Sequence, residues 1–288
     1  MIKSFPIKRE WRLAHGRVLE TGAQALIMGI LNITPDSFSD GGNYESVDSA
    51  LCTARTMLDD GAAIIDVGGE STRPDAAPVS AQQEQDRVLP VIEALARETG
   101  CLISVDTYRA QTAKLAVAAG AHIVNDVWGL QKEPDIADLA AETGAGLVIM
   151  HTGRDREVAA DVIADQHLFL QRSLEIAAAA GVDPQQIMLD PGFGFAKDTQ
   201  QNVELMARFA ELQSFGLPWL VGTSRKRFTG AVSGREIAAE RDAATAATSV
   251  MLRLSGADIF RVHNVALNRD ALSVADAVLK AAQPQKKA

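Results

Sequence analysis

Three side chains that accept hydrogen bonds stand at the ends of short apolar runs. Asp106 follows Leu102-Ile103-Ser104-Val105, Asn125 follows Ile123-Val124, and Asp190 follows Ile187-Met188-Leu189. A carboxylate can accept two parallel N–H bonds, so this set suits a heterocycle with an exocyclic amine beside a ring N–H, the edge presented by guanine or pterin. A second set is cationic or donating: Arg73, Lys226, Arg261 and His263. Such groups hold anions through charge-assisted hydrogen bonds. Together the two sets describe a site for a nitrogen heterocycle that carries phosphate.

Each of these residues also has a plainer reading. Asp106 is a favoured helix N-cap type, and Asp190 before Pro191-Gly192 is a turn former. Ser224-Arg225-Lys226-Arg227 can be a solvated charge cluster. His151 and His263 fall at strand ends and are ligand candidates, whereas His122 and His167 read as structural. Gly68-Gly69, in the stretch AIIDVGGESTRP (63–74), lacks the spacing and lysine of a P-loop and the third glycine of a dinucleotide turn. Those glycines are better read as letting the chain leave its strand, so that Thr72-Arg73-Pro74 reaches over the site.

What must position these residues is a repeated unit of apolar strand, polar turn and helix. Strands are expected over 25–33, 63–67, 102–106, 122–127, 146–151, 187–190, 219–222 and 258–263. Helices are expected over 46–60, 81–99, 110–119, 134–143, 163–180, 201–215, 237–254 and 267–282. Glycine just before most of the strands suits the residue that closes a helix. Eight such units predict an α/β fold, a closed (β/α)8 TIM barrel, whose ligands bind at the C-terminal ends of the strands. The expected organisation is a single domain over 25–283, a lead-in over 1–24 that caps the barrel bottom, and a frayed tail over 284–288.

Composition narrows the function. The chain has 288 residues and a net charge of −9, which argues against a nucleic-acid surface. No stretch approaches the ~20 apolar residues of a membrane span. The start, MIKSFPIKREWRLAHGRVLE, is charged and reads as mature cytoplasmic sequence. Cys52 and Cys101 have neither disulfide-framework nor zinc spacing.

Seven stretches carry a family resemblance: MGILNITPDSFSDGG (28–42), IIDVGGESTRP (64–74), SVDT (104–107), NDVWG (125–129), LDPGFGFAK (189–197), GTSRKRF (222–228) and RVHN (261–264). With them the chain resembles the dihydropteroate synthases, folate-pathway enzymes targeted by sulfonamides, over about residues 25 to 280. The resemblance implies a (β/α)8 barrel that joins 4-aminobenzoate to a dihydropterin bearing a 6-hydroxymethyl diphosphate. It implies Asp106, Asn125 and Asp190 on the pterin edge, Val127 and Met150 against the ring, and Lys226 on its acceptor atoms. Arg73, Arg261 and His263 would bind the diphosphate, and Asn32 would ligate its Mg²⁺. Phe38, Thr72, Pro74, Phe195 and Ser224 would frame the 4-aminobenzoate slot, with Lys226 nearby. Asp106, Arg73, Lys226, Arg261 and His263 form the implied catalytic set, and a homodimer is implied as well.

Two departures stand out: Thr152-Gly153-Arg154 where many members read Met-Gln-Gly, and Asn264 where Asp is common. Rival readings are a methyltetrahydrofolate-dependent corrinoid methyltransferase, which has no use for Thr72-Arg73-Pro74 or Ser224-Arg225-Lys226, and a catalytically silent pterin-binding protein. A metal-dependent barrel hydrolase would want His-x-His where this chain has Leu31-Asn32-Ile33.

Overall fold

The computed structural model describes residues 2, 5, 7–33, 43–70 and 79–282, the side chains of 43–46 excepted. The expected tail over 284–288 lies outside them. Apolar, β-branched runs form the strands β3 (Leu26–Asn32), β4 (Ile64–Gly68), β5 (Leu102–Asp106), β6 (Ile123–Asp126), β7 (Gly146–Met150), β8 (Ile187–Asp190), β9 (Leu220–Val221) and β10 (Ile259–Val262). All pair in parallel, in the order β8-β7-β6-β5-β4-β3-β10-β9. A bridge between Leu189 and Trp219, with Leu189 N–H donating to Pro218 O at 3.0 Å, brings β8 against β9 and closes the ring. The expected (β/α)8 barrel is the observed fold.

The helices lie between successive strands: α1 (Asn43–Asp59), α2 (Ala81–Glu98), α3 (Ala110–Ala118), α4 (Asp135–Thr143), α5 (Val162–Ala179), α6 (Thr199–Arg208), α7 (Arg227–Ser233), α8 (Asp242–Arg253) and α9 (Val265–Ala282). Capping boxes start α2 at Ser80 and α6 at Asp198, satisfying backbone donors that a helix leaves open. Their inner faces and the strands' outer faces make the main apolar core.

Three elements differ from expectation. The helix expected over 201–215 ends at Arg208, and Phe209–Phe215 tightens to a 3-10 turn. Phe209 and Leu212 are buried and Phe215 packs beside them, a spacing of three that eclipses side chains in a 3-10 turn. The helix expected from 237 begins at Asp242, because Arg241 reaches back to the carbonyls of Arg225, Arg235 and Glu236. The helix α7 was not expected.

The lead-in forms an antiparallel hairpin, β1 (Arg9–Leu13) and β2 (Arg17–Thr21). Its Trp11 and Leu13 pack with Met28, Ile64, Leu102, Ile123, Val148, Met188, Leu220 and Ile259, the interior residues near the strands' N-terminal ends. Trp11 Nε1 donates to Gln186 O at 2.7 Å. The contact is tight enough that a Cβ at Gly146 would run into Leu13 Cδ2.

Candidate active site

The register of the sheet brings the sequence candidates together. Asn32, Gly68, Asp106 and Asn125 pair successively across β3, β4, β5 and β6, and Met150 pairs with Asp190 across β7 and β8. Asn32, Asp106 and Asn125 therefore share one row near the barrel mouth, and Asp190 lies two residues further along, since Asn125 pairs with Val148 and Val148 with Met188.

Arg261 of β10 reaches across this row. Its Nε donates to Asp66 Oδ2 at 2.6 Å and its Nη2 to Asp106 Oδ2 at 2.7 Å. Asp66 is fully buried. Burial pushes the Asp106 carboxyl up, against the pull of Arg261; the guanidinium is held above its ordinary value by Asp66 and Asp106, against its own burial. Asn125 Nδ2 lies 3.4 Å from Asp66 Oδ2. Among the described residues, Asn125 Oδ1, Asp66 Oδ1 and Ser104 Oγ have no hydrogen-bond partner. Unmatched buried acceptors cost stability, which marks them as groups kept for a ligand or for water.

Asp190 is buried, its carboxyl pushed up by that burial, and its Oδ1 accepts from Gly192 N at 2.7 Å. Lys226 turns inward, donates to Phe193 O, and sets its Nζ 4.5 Å from the centre of the Phe195 ring. Burial lowers the Lys226 ammonium to about 7. Val127, Met150 and Phe195 form a small apolar cluster backed by Tyr108 and Trp128. Ser224 Oγ accepts from His263 N at 3.1 Å and lies 2.9 Å from His263 Nδ1. With the hydroxyl donating to Nδ1, the ring proton sits on Nε2.

The structure sorts the charge cluster that the sequence left whole. Arg225 takes a left-handed backbone conformation (φ 57°) and makes a two-pronged pair with Asp242 at 2.7 and 2.8 Å, while Lys226 points into the site and Arg227 is exposed. Asp106 does not cap α3; Arg109 stands in that position. His151 does not line the mouth as a ligand: it is buried against Asp165 and Lys197, and burial lowers its imidazole to about 4. His122 accepts from Ile103 N at 3.1 Å and His167 stacks on Phe215, both structural. Phe38, Thr72, Arg73 and Pro74 lie outside the described residues.

Both departures have local accounts. Asn264 Oδ1 accepts from Leu267 N at 3.1 Å at the start of α9 and its amide donates to Asp242, which a carboxylate could not do. Arg154 places its guanidinium 4.7 Å from the Phe195 ring centre.

Sequence reasoning missed Asp66 as the second anchor of Arg261, and Arg109, which ties both ends of the stretch containing Thr72-Arg73-Pro74. Arg109 donates to Glu70 at 2.6 Å on one side and to Val79 O at 2.7 Å on the other, with Glu84 beneath at 2.9 Å. Asp66 inside an apolar run was the available signal.

A magnesium ion, which the family resemblance implies, can be tested against the donors present. Among the described residues there is no cluster of three His, Cys, Asp or Glu able to hold a metal. A Cβ at Gly68 would fall 3.6 Å from Asn32 Oδ1 and 3.8 Å from Asp106 Oδ2, so both oxygens border the gap that glycine leaves. Mg²⁺ takes few protein ligands and completes its shell with phosphate and water, and this oxygen-only edge fits an ion that arrives with a diphosphate.

A family model for pterin binding enzymes matches residues 28–263. Over 242 residues the chain is 49% identical to the dihydropteroate synthase of Bacillus subtilis (strain 168), covering 84% of each chain. It superposes with a TM-score of 0.88 on the Xanthomonas albilineans dihydropteroate synthase with 4-aminobenzoic acid, at 42% identity, covering 96% of this chain and 100% of that one. The Yersinia pestis dihydropteroate synthase in complex with a sulfonamide drug gives 0.85 at 41% identity, covering 93% and 98%. The chain thus belongs to the pterin-binding enzymes and, among them, to the dihydropteroate synthases.

Proposed function

We propose that the barrel mouth joins 4-aminobenzoate to (7,8-dihydropterin-6-yl)methyl diphosphate, giving 7,8-dihydropteroate and pyrophosphate, by an ionisation-first displacement. The observation that carries this reading is the convergence of Asp106, Asn125 and Asp190 at the mouth, with Lys226 close to both carboxylates and Arg261 bonded to Asp106. Asp190 and Asn125 accept from the amine edge of the pterin, Asp106 accepts nearer its reactive end, and Lys226 donates to its acceptor atoms. Val127 and Met150 pack on the ring. Arg261, His263, Arg73 and Asn32 hold the diphosphate.

The C–O bond to the diphosphate breaks with its electron pair leaving on oxygen. Arg261 and His263 offset that growing charge, and donors placed before the reaction need little reorganisation. A bound Mg²⁺, with Asn32 as its protein ligand, would supply further charge neutralisation on the diphosphate. The pterin ring spreads the positive charge left on the methylene, and the Asp106 carboxylate stabilises it. The neutral arylamine nitrogen then forms the C–N bond and loses its proton to water, so no catalytic base is needed. Phe195, Ser224, Phe38, Thr72 and Pro74 frame the arylamine, and sulfonamides compete for the same slot.

Several finer points belong to the same reading. Residues 1–24 act as a cap on one catalytic unit over 25–283. Two copies pair through the face of α7, α8 and α9, where Val232, Ile237, Met251, Val274 and Val278 are exposed. Among the described residues no helix is long and apolar enough to cross a membrane.

Formation of 7,8-dihydropteroate with matching pyrophosphate release should require both 4-aminobenzoate and the dihydropterin diphosphate; no dihydropteroate formed with both present refutes the synthase reading. A series of ring-substituted 4-aminobenzoates should change the rate of the chemical step little. A steep dependence on amine nucleophilicity would replace ionisation-first chemistry with concerted displacement.

A further inference from the structure

The turn after β8, Pro191 to Phe195, carries the Phe195 wall of the arylamine slot and begins at Asp190. Its backbone is conformationally demanding: Gly192, Gly194 and Ala196 all have positive φ, at 65°, 78° and 49°. Such a turn holds only where its surroundings determine it. Most of its polar backbone groups are met by side chains. Gln166 donates to Pro191 O at 3.0 Å, Gly192 N donates to Asp190, and Gly194 N donates to Asn202 Oδ1 at 2.7 Å. Lys197 Nζ donates to the carbonyls of Gly192 and Phe195 at 2.9 and 3.4 Å, Gly192 O also accepts from Phe195 N at 3.1 Å, and Lys226 donates to Phe193 O.

Lys197 is itself oriented from below. Its Nζ lies 2.9 Å from His151 Nδ1, and His151 Nε2 lies 2.9 Å from Asp165 Oδ2. The Asp165 carboxylate can only accept, so Nε2 carries the ring proton and Nδ1 accepts from Lys197, whose ammonium burial lowers to about 7. Arg156 Nη2, 2.9 Å from Nε2, is anchored by the same carboxylate. Hydrogen bonds from His151 and Arg156 hold the Asp165 carboxyl low, against the upward push of its partial burial. Burial, with the Lys197 charge, lowers the imidazole to about 4, in keeping with a neutral ring. The chain of contacts runs from α5 through His151 at the end of β7 to the turn after β8.

We propose that Lys197, oriented by the Asp165–His151 pair, is a positioning residue that sets the Pro191–Phe195 turn and through it the width of the arylamine slot. This rests on the synthase reading for the identity of the slot's occupant. The effect is selective between substrates. Asp190 is anchored within β8 by pairing with Met150 and by His151 N–H donating to its carbonyl at 2.8 Å. Phe195 has no strand beneath it and follows the turn.

Lys197→Met keeps length and packing but removes the donors and a buried charge. It should raise KM for 4-aminobenzoate at least about tenfold, with Kd for the dihydropterin diphosphate within about twofold of wild type, since Asp190 keeps its strand. Lys197→Arg, which keeps charge and donors, should recover most of the loss. Independently of any substrate, amide exchange at Gly194 and Phe195 should accelerate in Lys197→Met. Should that variant not fold, Lys197→Gln serves the same comparison. An unchanged KM for 4-aminobenzoate in a folded variant overturns the positioning role, as does equal loss of both substrates' affinity. Unchanged exchange overturns the network itself. A wild-type enzyme that formed no dihydropteroate from 4-aminobenzoate and the dihydropterin diphosphate would overturn the synthase reading instead, and the exchange result would stand apart from it.

Discussion

The two ends of this barrel are built from the same eight strands and differ in chemistry, although two buried atoms unmatched among the described residues, Trp219 Nε1 and Asp258 Oδ1, also lie at the N-terminal end. At the N-terminal end, Trp11 and Leu13 of the hairpin meet Met28, Ile64, Ile123, Val148, Met188 and Ile259 in a layer of apolar side chains. At the C-terminal end, Asp66, Ser104 and Asn125 each present a buried oxygen with no partner among the described residues. Apolar packing contributes stability and has no use for a ligand. The mouth leaves polar groups unmatched, which lowers stability until something binds. The difference is one of residue type at alternate positions on the same strands, and it separates what holds the fold from what performs the chemistry.

That contrast can be broken most sharply at Arg261. Arg261→Met should lower kcat/KM by about 10³ or more, since one donor to a developing charge is worth roughly 10²–10³ and this one also holds Asp66 and Asp106. Steady-state pyrophosphate release measures it, and a loss below tenfold would remove Arg261 from the transition state. At the other end, Trp11→Ala should cost about 3–5 kcal/mol of stability, the usual range for a buried aromatic, with kcat unchanged in the fraction that remains folded. Denaturant titration and turnover on the same sample test the pair, and a changed kcat would mean that the two ends communicate.

Asp190→Ala should weaken dihydropterin binding by roughly 10- to 100-fold, because hydrogen bonds to a charged group are worth about 1.5–3 kcal/mol. Calorimetry should find the melting temperature little changed, as the variant also removes a carboxyl whose buried charge is disfavoured. The smallest effect is in pH. Lys226 carries its charge and donates most strongly as the ammonium, and burial lowers it to about 7, so kcat/KM should fall as pH rises through that value. Asp106 must be ionised, and burial raises it, so a second limb should appear on the acid side above the ordinary carboxylate range. The apparent values belong to the coupled cluster. Lys226→Arg should move the alkaline limb to far higher pH, and a limb left in place assigns it to another group.

The barrel was legible in the sequence because its strands are apolar runs preceded by helix-closing glycines, a local signal. The hairpin was not, although Trp11 and Leu13 alternate with Glu10 and Arg12, because charged residues surround them and the turn uses His15 at φ 59°. Asp106, Asn125, Asp190, Lys226 and Arg261 could be picked out as polar ends of strands. Their partners could not: Arg261 is held by Asp66, 195 positions away, and Lys197 by His151, 46 away. Arg225 and Lys226 are adjacent yet serve different neighbours, and only the left-handed backbone at Arg225 separates them.

The joint between β8 and β9 has a further meaning for how the molecule breathes. The ring is fastened there by the Leu189–Trp219 bridge, and β9 is two residues long. Local opening favours regions with few contacts, so this joint should be where the hoop parts first, which amide exchange at Leu189 would report. The two lips of that gap carry Asp190 and Phe195 on one side and Ser224 and Lys226 on the other, stitched by the Lys226 bond to Phe193 O. A molecule seated between them pins the lips together. The enzyme's substrates are then also its fastener, and a compound touching both lips should slow the opening of the whole barrel more than one touching either alone.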